Sequence, residues 1–339
     1  MNRILNDNLQ RALDNRKELI EKLTNENTDT FRLFHGVNEG FPGLTIDRYN
    51  EQILIQTFYD SLDPELYGTV EKFLEKDISG FTHIVYNDRS RKKKLKDKTR
   101  ELAEAAEIEK APHQCTELGV KYTVRGKHRG QDPLLFLDMR AGRRWVLKNS
   151  ADKSLLNLFA YTCGVGVAAS KAGAAESVNV DFARSSLDFG VENAELNNLN
   201  PDKITFIHED VIPVIRQFAG LKVSGRAARK HKFLKVEQKQ FDIVYMDPPR
   251  WAKTPFGAID LVNDYQSLFK PALFSTKPGG TLFCTNHVPQ VELNHWLELM
   301  KKCALKNGRE IKHIEIIEPE EDFPSPDGKH PLKMAALTV

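Results

Sequence analysis

The sequence predicts a doubly wound α/β fold with a mainly parallel sheet, preceded by a smaller α/β segment. Three observations predict it. From about residue 145 onward, apolar strand-like runs alternate with helical stretches. One of those runs leads into a glycine-containing turn, LFAYTCGVGVAAS, that opens a helix rich in small residues. The following runs end in acidic residues, Asp181 and then Asp210, at the sheet edge where such folds present their ligand crevice.

Length and composition set the frame. A chain of 339 residues suggests two compact units. With 40% hydrophobic and 28% charged residues it reads as a soluble globular protein rather than a disordered or fibrous one. No apolar run approaches the roughly 20 residues of a membrane span. The first residues carry no apolar h-region, so a non-secreted, cytoplasmic protein is expected. The four cysteines, Cys115, Cys163, Cys284 and Cys303, form no C-x-x-C pair and no zinc-like spacing. They read as thiols of a reducing compartment, and no metal site is expected.

Residues 3–24 place Ile4, Leu5, Leu9, Leu13, Leu19, Ile20 and Leu23 near helical spacing, which predicts an amphipathic helix within residues 1–30. Residues 31–112 read as a small α/β domain. Its strands are punctuated by Gly36, Gly40, Pro42 and Gly43, followed by a helix over 63–76 and a strand over Thr82–Tyr86. A basic run, an acidic helical stretch and Pro112 put the boundary near 112. Residues 113–339 form the main domain, with strands at Glu117–Val124, Leu134–Leu137, Leu155–Ala160, Ser177–Asp181, Ile204–His208, Phe241–Met246, Gly280–Thr285 and Ile311–Ile317.

The turn after Leu155–Ala160 carries Gly164 and Gly166, which let backbone approach a ligand. Asp181 can accept hydrogen bonds from both hydroxyls of a ribose. Ala169 stands where a dinucleotide fingerprint has its third glycine, so a nicotinamide cofactor stays open as an alternative at this point. Asp210 suits either an adenine amino group or a helix N-cap. Asp247-Pro248-Pro249 is an acid followed by a rigid, extended turn, and Trp251 adds an aromatic face. Together they make a surface for a flat ring.

These motifs resemble the large-subunit (23S) ribosomal RNA methyltransferases. The resemblance rests on NLFAYTCGVG, VDFARSSLDFGVENAELNNL, DPPRWAKTPFGAIDLVNDYQSL, PGGTLFCTNH, FLDMRAGRRWV and TFRLFHGVNEGFPGLTIDRY, and runs from about residue 30 to the C-terminal HPLKMA. It implies a class I, Rossmann-like sheet and S-adenosylmethionine (SAM) as methyl donor. Phe159, Tyr161, Gly164, Gly166, Asp181, Phe182, Asp210 and Val211 would line the donor. Asp181 would take the ribose and Asp210 the adenine. Asp247, Pro248, Pro249 and Trp251 would hold the target base. Arg140 and Asp138 would lie at the pocket edge, with Arg140 toward the methionine carboxylate or in a surface salt bridge.

Two branches of that family differ in chemistry. Methylating carbon-5 of cytosine needs a cysteine thiolate to add at carbon-6. At the position where the cytosine branch has it, this chain has His287. Cys284 lies inside an apolar strand and Cys163 inside the glycine turn. Guanine N7 offers a lone pair and no proton to remove, so alignment supplies most of the acceleration. The Asn286-His287 pair resembles the guanine branch, and guanine N7 is favoured over cytosine C5. An exocyclic adenine amine is a further alternative.

Three basic clusters would meet RNA phosphates. The first is Arg89, Arg91, Lys92, Lys93, Lys94, Lys96, Lys98 and Arg100. The second is Lys121, Arg125, Lys127 and Arg129. The third is Lys222, Arg226, Arg229, Lys230, Lys232, Lys235 and Lys239. A solvated face is the plain alternative for any one of them. Ribosomal RNA is the expected partner, a target base would have to leave its stack, and a homodimer is compatible with the sequence. A small-molecule methyltransferase and a non-catalytic RNA-binding protein are the rival readings.

Overall fold

The computed structural model describes residues 2–90, 113–126, 132–224 and 226–339. Two compact units emerge from its contacts. Unit 1 comprises Met1–Arg140 and Glu320–Lys329; unit 2 comprises Ala141–Pro319 and His330–Val339.

Unit 1 opens with two helices rather than one, α1 (Asn2–Asn15) and α2 (Lys17–Asn25). The break falls at Arg16, which is buried and ion-paired to Glu39. Burying that guanidinium re-aims the chain, so Leu5, Leu9 and Ala12 on α1 and Leu19 and Leu23 on α2 reach one core. Strands β1 (Thr30–His35), β2 (Leu44–Tyr49) and β3 (Gln52–Thr57) form an antiparallel meander. Helix α3 (Pro64–Asp77) then crosses to β4 (His83–Asp88), parallel to β3. Asp63 caps α3 by accepting from the Leu66 amide at 2.8 Å, with Pro64 in the first turn.

The expected strand Glu117–Val124 is instead a hairpin of β5 (His113–Glu117) and β6 (Val120–Val124). Leu118 and Gly119 both take left-handed φ, 53° and 75°, as a two-residue hairpin turn requires. Leucine tolerates this because its amide donates to Thr28 Oγ1 at 2.7 Å and that of Gly119 to Asn27 O at 3.0 Å. The same contacts place the hairpin in unit 1. The expected boundary near 112 lies outside the described residues; contacts divide the chain at Arg140 instead. Leu134–Leu137 is no strand, since Leu134 has φ 71° and a short 3-10 turn, Leu137–Met139, follows.

In unit 2, helix α4 (Arg140–Asn149) leads into the alternating region. Five strands are mutually parallel: β7 (Ser154–Leu158), β8 (Glu176–Asp181), β9 (Ile204–His208), β10 (Phe241–Met246) and β13 (Thr276–Asn286). Helices α5 (Gly164–Lys171), α6 (Arg184–Leu196) and α7 (Val211–Phe218) follow β7, β8 and β9 in turn. A short helix, α8 (Arg226–Lys230), precedes β10. After β10 come a hairpin, β11 (Trp251–Thr254) with β12 (Gly257–Asp260), and α9 (Gln266–Ser275). Helix α10 (Leu293–Lys306), β14 (His313–Ile317) and β15 (Lys333–Thr338) complete the unit.

The sheet order is β14-β15-β13-β10-β7-β8-β9, and β15 is antiparallel to both neighbours. An all-parallel dinucleotide sheet has no such inserted strand. The order reverses beside β7, so the crevice for a ligand opens where β7 and β10 end. Leu156, Leu158, Val178, Val244, Met246 and Leu282 form the middle of its core. No helix among the described residues is long and apolar enough to cross a membrane.

Candidate active site

The turn after β7 is the most contorted stretch of unit 2. Phe159, Tyr161 and Cys163, none of them glycine, all have positive φ, at 59°, 50° and 60°. Such backbone costs about 1–3 kcal/mol per residue and persists only where its surroundings hold it. Asp181, at the end of β8, supplies part of that hold. Its Oδ2 accepts from the Tyr161 amide at 2.9 Å and its Oδ1 from the Ala183 amide at 2.8 Å. The carboxylate is only 6% exposed. Burial raises its pKa, and the amides of Ala183, Tyr161 and Phe182 pull the other way. Each oxygen keeps a second lone pair, so an aimed carboxylate stands ready for two further donors.

Phe182 follows, and its side chain is 67% exposed, unusual for so large an apolar group beside a strand end. His208 Nε2 lies 3.1 Å from its carbonyl and steadies the loop. Phe159 is half-buried against the core. Val211 is 2% exposed and its side chain belongs to the core, which leaves its backbone as the group it can offer a ligand.

Gly164 begins α5, close to the strained turn. Gly166 does different work from that expected of it. A Cβ there would come within 1.9 Å of Asn179 Oδ1, a buried amide on β8 that accepts from Asn157 at 2.9 Å. Its role is close helix-to-strand packing, not only backbone approach to a ligand. Gly166→Ala is therefore expected to lower stability by about 1–3 kcal/mol in urea unfolding. Adding Asn179→Ala should recover part of that loss, and equal loss in the double variant would refute the packing explanation.

Asp210 fills the capping part that its position allowed. Oδ1 caps α7, accepting from the Ile212 amide at 2.9 Å. Oδ2 is buried and has no hydrogen-bond partner among the described residues. Burial raises its pKa; the nearby Thr254 hydroxyl, which donates to Gly257 O, and the Ile212 amide lower it. A buried carboxylate oxygen left without a donor is costly, and a ligand amine would satisfy it.

At the end of β10, Asp247 accepts a short hydrogen bond from the Thr285 hydroxyl, while Tyr265 Oη donates to Thr285 O at 3.1 Å. Pro248 is buried and Pro249 half-buried. Trp251 is 62% exposed and opens the β11–β12 hairpin, paired with Asp260. Its ring therefore faces solvent and is not packed into the core. Asn286, of the pair that resembles the guanine branch, is fully buried: its amide donates to Leu261 O and accepts from the Val288 amide.

Arg140 corrects an expectation. It is neither at a pocket edge nor in a surface salt bridge. Its side chain is fully buried in unit 1, bonded to Asp322 (2.9 Å), Glu320 (3.0 Å) and Thr30 O (3.1 Å), with Glu117 at 3.5 Å. Burial favours the neutral form, but Asp322, Glu117 and Glu320 outweigh it and hold the guanidinium charged. Both of its terminal nitrogens are committed to these partners, and its side chain is fully buried, which leaves it unsuited to a methionine carboxylate.

All four cysteines are buried. Burial pushes the Cys284 thiol up to about 12, against a small opposing pull from Tyr265. Cys163 is also pushed well up, by burial and then by Asp181. Arg91, Lys92, Lys93 and Lys94 lie outside the described residues, whereas Arg229 and Lys230 on α8 are exposed. Among the described residues no group of three or more His, Cys, Asp and Glu could hold a metal ion. Sequence reasoning missed Glu209, whose carboxylate accepts from the Asp210 amide at 2.8 Å; two consecutive acids at a strand end were its signal.

The profile of the S-adenosylmethionine-dependent methyltransferase family matches residues 31–338. A curated relative, ribosomal RNA large subunit methyltransferase I of Aeromonas salmonicida, is 28% identical over 318 residues, covering 93% of this chain and 74% of the relative. Two solved structures share the fold. One, a methyltransferase complexed with SAH, has a TM-score of 0.77 at 21% identity, covering 99% of this chain and 81% of that one. The other, a SAM-dependent methyltransferase from Streptococcus mutans, has a TM-score of 0.75 at 21% identity over the same shares.

Proposed function

The chain belongs to the S-adenosylmethionine-dependent methyltransferase family, and on that premise we propose that it methylates a base of 23S ribosomal RNA, at guanine N7. Bound SAM supplies a sulfonium methyl group open to attack. The residues fit such a donor. Asp181 keeps lone pairs for two ribose hydroxyls, and Asp210 Oδ2 is a buried acceptor awaiting an amine. Phe182 offers an exposed ring to the adenine. Asp247, held by Thr285, and the Pro248-Pro249 turn orient the target base, with Trp251 as a stacking face. Arg229 and Lys230 serve RNA phosphates, as do Arg91, Lys92, Lys93 and Lys94 in the sequence of unit 1. As an enzyme of ribosomal RNA, it would act in the cytoplasm on this reading.

The observation that carries the choice of base is the state of the thiols. Cys284 is fully buried, and burial holds its thiol protonated at neutral pH. None of the four is exposed to add to a pyrimidine ring. Guanine N7 needs no thiolate and no proton removal, only alignment.

Mass-spectrometric mapping of nucleosides in a 23S transcript incubated with the protein and SAM tests this. 7-Methylguanosine is expected. 5-Methylcytidine would reject the choice of base, and no modification would reject the RNA substrate. Cys284→Ala is expected to keep methylation within about twofold of the parent, because a buried un-ionised thiol contributes no chemistry. Loss of methylation in a folded Cys284→Ala protein would overturn the N7 reading.

A further inference from the structure

Between α7 and β10 the chain takes residues 219–240 to make a connection that α/β units usually make in about 2–6 residues. This strap is tied down at defined points. The side chain of Gln217 donates to Leu234 O at 2.9 Å and accepts from the Val236 amide at 3.3 Å, acting as a strand partner. The Lys239 amide donates to Phe218 O at 3.1 Å. Phe233 meets Phe256 edge-on, with centroids 5.5 Å apart, and His231 approaches the same ring at 6.2 Å. Phe256 sits at the turn of the hairpin that Trp251 opens. Lys235 Nζ stands 3.8 Å over Phe233, and Arg229, Lys230, Lys232 and Lys235 are exposed. Basic side chains interleaved with aromatic rings suit the phosphates and bases of single-stranded RNA.

One side chain joins this strap to the donor end of the site. Glu209 Oε2 accepts from the Leu234 amide at 2.6 Å, while its Oε1 accepts from the Asp210 amide at 2.8 Å. The residue bearing the unsatisfied Oδ2 and the backbone of the RNA-facing strap thus hang on the two oxygens of one carboxylate. We propose that Glu209 is a positioning residue that couples RNA docking on the strap to donor binding at Asp210. The proposal rests on the RNA reading above. RNA held on the strap fixes Leu234, hence Glu209, hence Asp210, so RNA tightens the donor site. By reciprocity, the donor tightens RNA to the same factor.

The full chain is titrated with S-adenosylhomocysteine, with and without a saturating unmodified 23S transcript, after filter binding has established that the transcript binds. The unsubstituted chain is expected to bind S-adenosylhomocysteine about fivefold more tightly when RNA is present. In Glu209→Ala the ratio of the two affinities should fall to about one. Leu234→Pro, which removes the donated amide and leaves both carboxylates in place, should do the same. Such a ratio is a readout that a merely stabilising contact would not move. A ratio that stays near five in either folded variant, or a ratio of one in the unsubstituted chain, overturns the coupling while leaving the RNA substrate intact. Failure of the transcript to bind at all overturns both.

Discussion

Titrating the Asp181→Ala protein with SAM is expected to give an affinity at least about a hundredfold weaker than that of the parent chain. Two hydrogen bonds from ribose hydroxyls to a charged acceptor are worth about 1.5–3 kcal/mol each, and 1.4 kcal/mol is tenfold. The carboxylate also holds the amides of Tyr161 and Ala183, so its loss frees the turn with three left-handed residues to relax. Asp181→Asn separates these effects: it keeps one acceptor but sets an amide N–H against a backbone N–H, and it should fall between parent and alanine. Acidity gives an independent check. Because burial raises the Asp181 pKa, its ionised form is lost at milder acidity than that of an exposed carboxylate. SAM affinity should therefore fall as pH drops, starting above the ordinary carboxylate range. Alanine binding within threefold of the parent would sink the ribose assignment.

Arg140→Ala is expected to cost about 3–5 kcal/mol of stability, since removing one partner strands buried charge. Asp322 is fully buried and also accepts from the Arg32 amide at 2.9 Å, while Glu117 is nearly as buried. Both lose their nearest cation. For a protein of this size, that loss lowers the melting temperature by roughly 4–7 °C. Replacing Arg140 and Asp322 together by apolar residues should recover much of it, because the desolvation cost leaves with the charges. A folded Arg140→Ala protein of parental stability but weakened SAM binding would restore the pocket-edge role that the buried cluster argues against.

Much of unit 2 could be read from the sequence because its signals are local. The strand-turn-helix around Gly164, the acid closing β8 and the acid-proline-proline turn each declare themselves within a few residues. Strand β15 did not. KMAALT is buried on both faces, lacks alternation, and pairs with β13 across some fifty residues of chain. The β11–β12 hairpin has short strands with an exposed pattern and no strand-like apolar run. The misplacing of Arg140 has the same root. A charged residue in the FLDMR segment looks solvent-facing until its partner, Asp322, is known, and no periodicity links positions so distant. Gly166 shows the converse: its place was legible, but its reason, the buried amide of Asn179 on the next strand, was not.

The way the chain returns upon itself bears on its synthesis. Unit 1 takes back residues Glu320–Lys329, bringing the carboxylate that neutralises Arg140, and unit 2 takes His330–Val339, bringing the strand between β13 and β14. Domains ordinarily fold in order as they leave the ribosome. Here residues 1–140 wait for residues 320–329, made some 180 residues later. A nascent chain stalled before residue 320 would leave Arg140 with Glu117 but without Glu320 and Asp322, and a sheet lacking its antiparallel strand, so neither half finishes folding until residues 320–338 have been made.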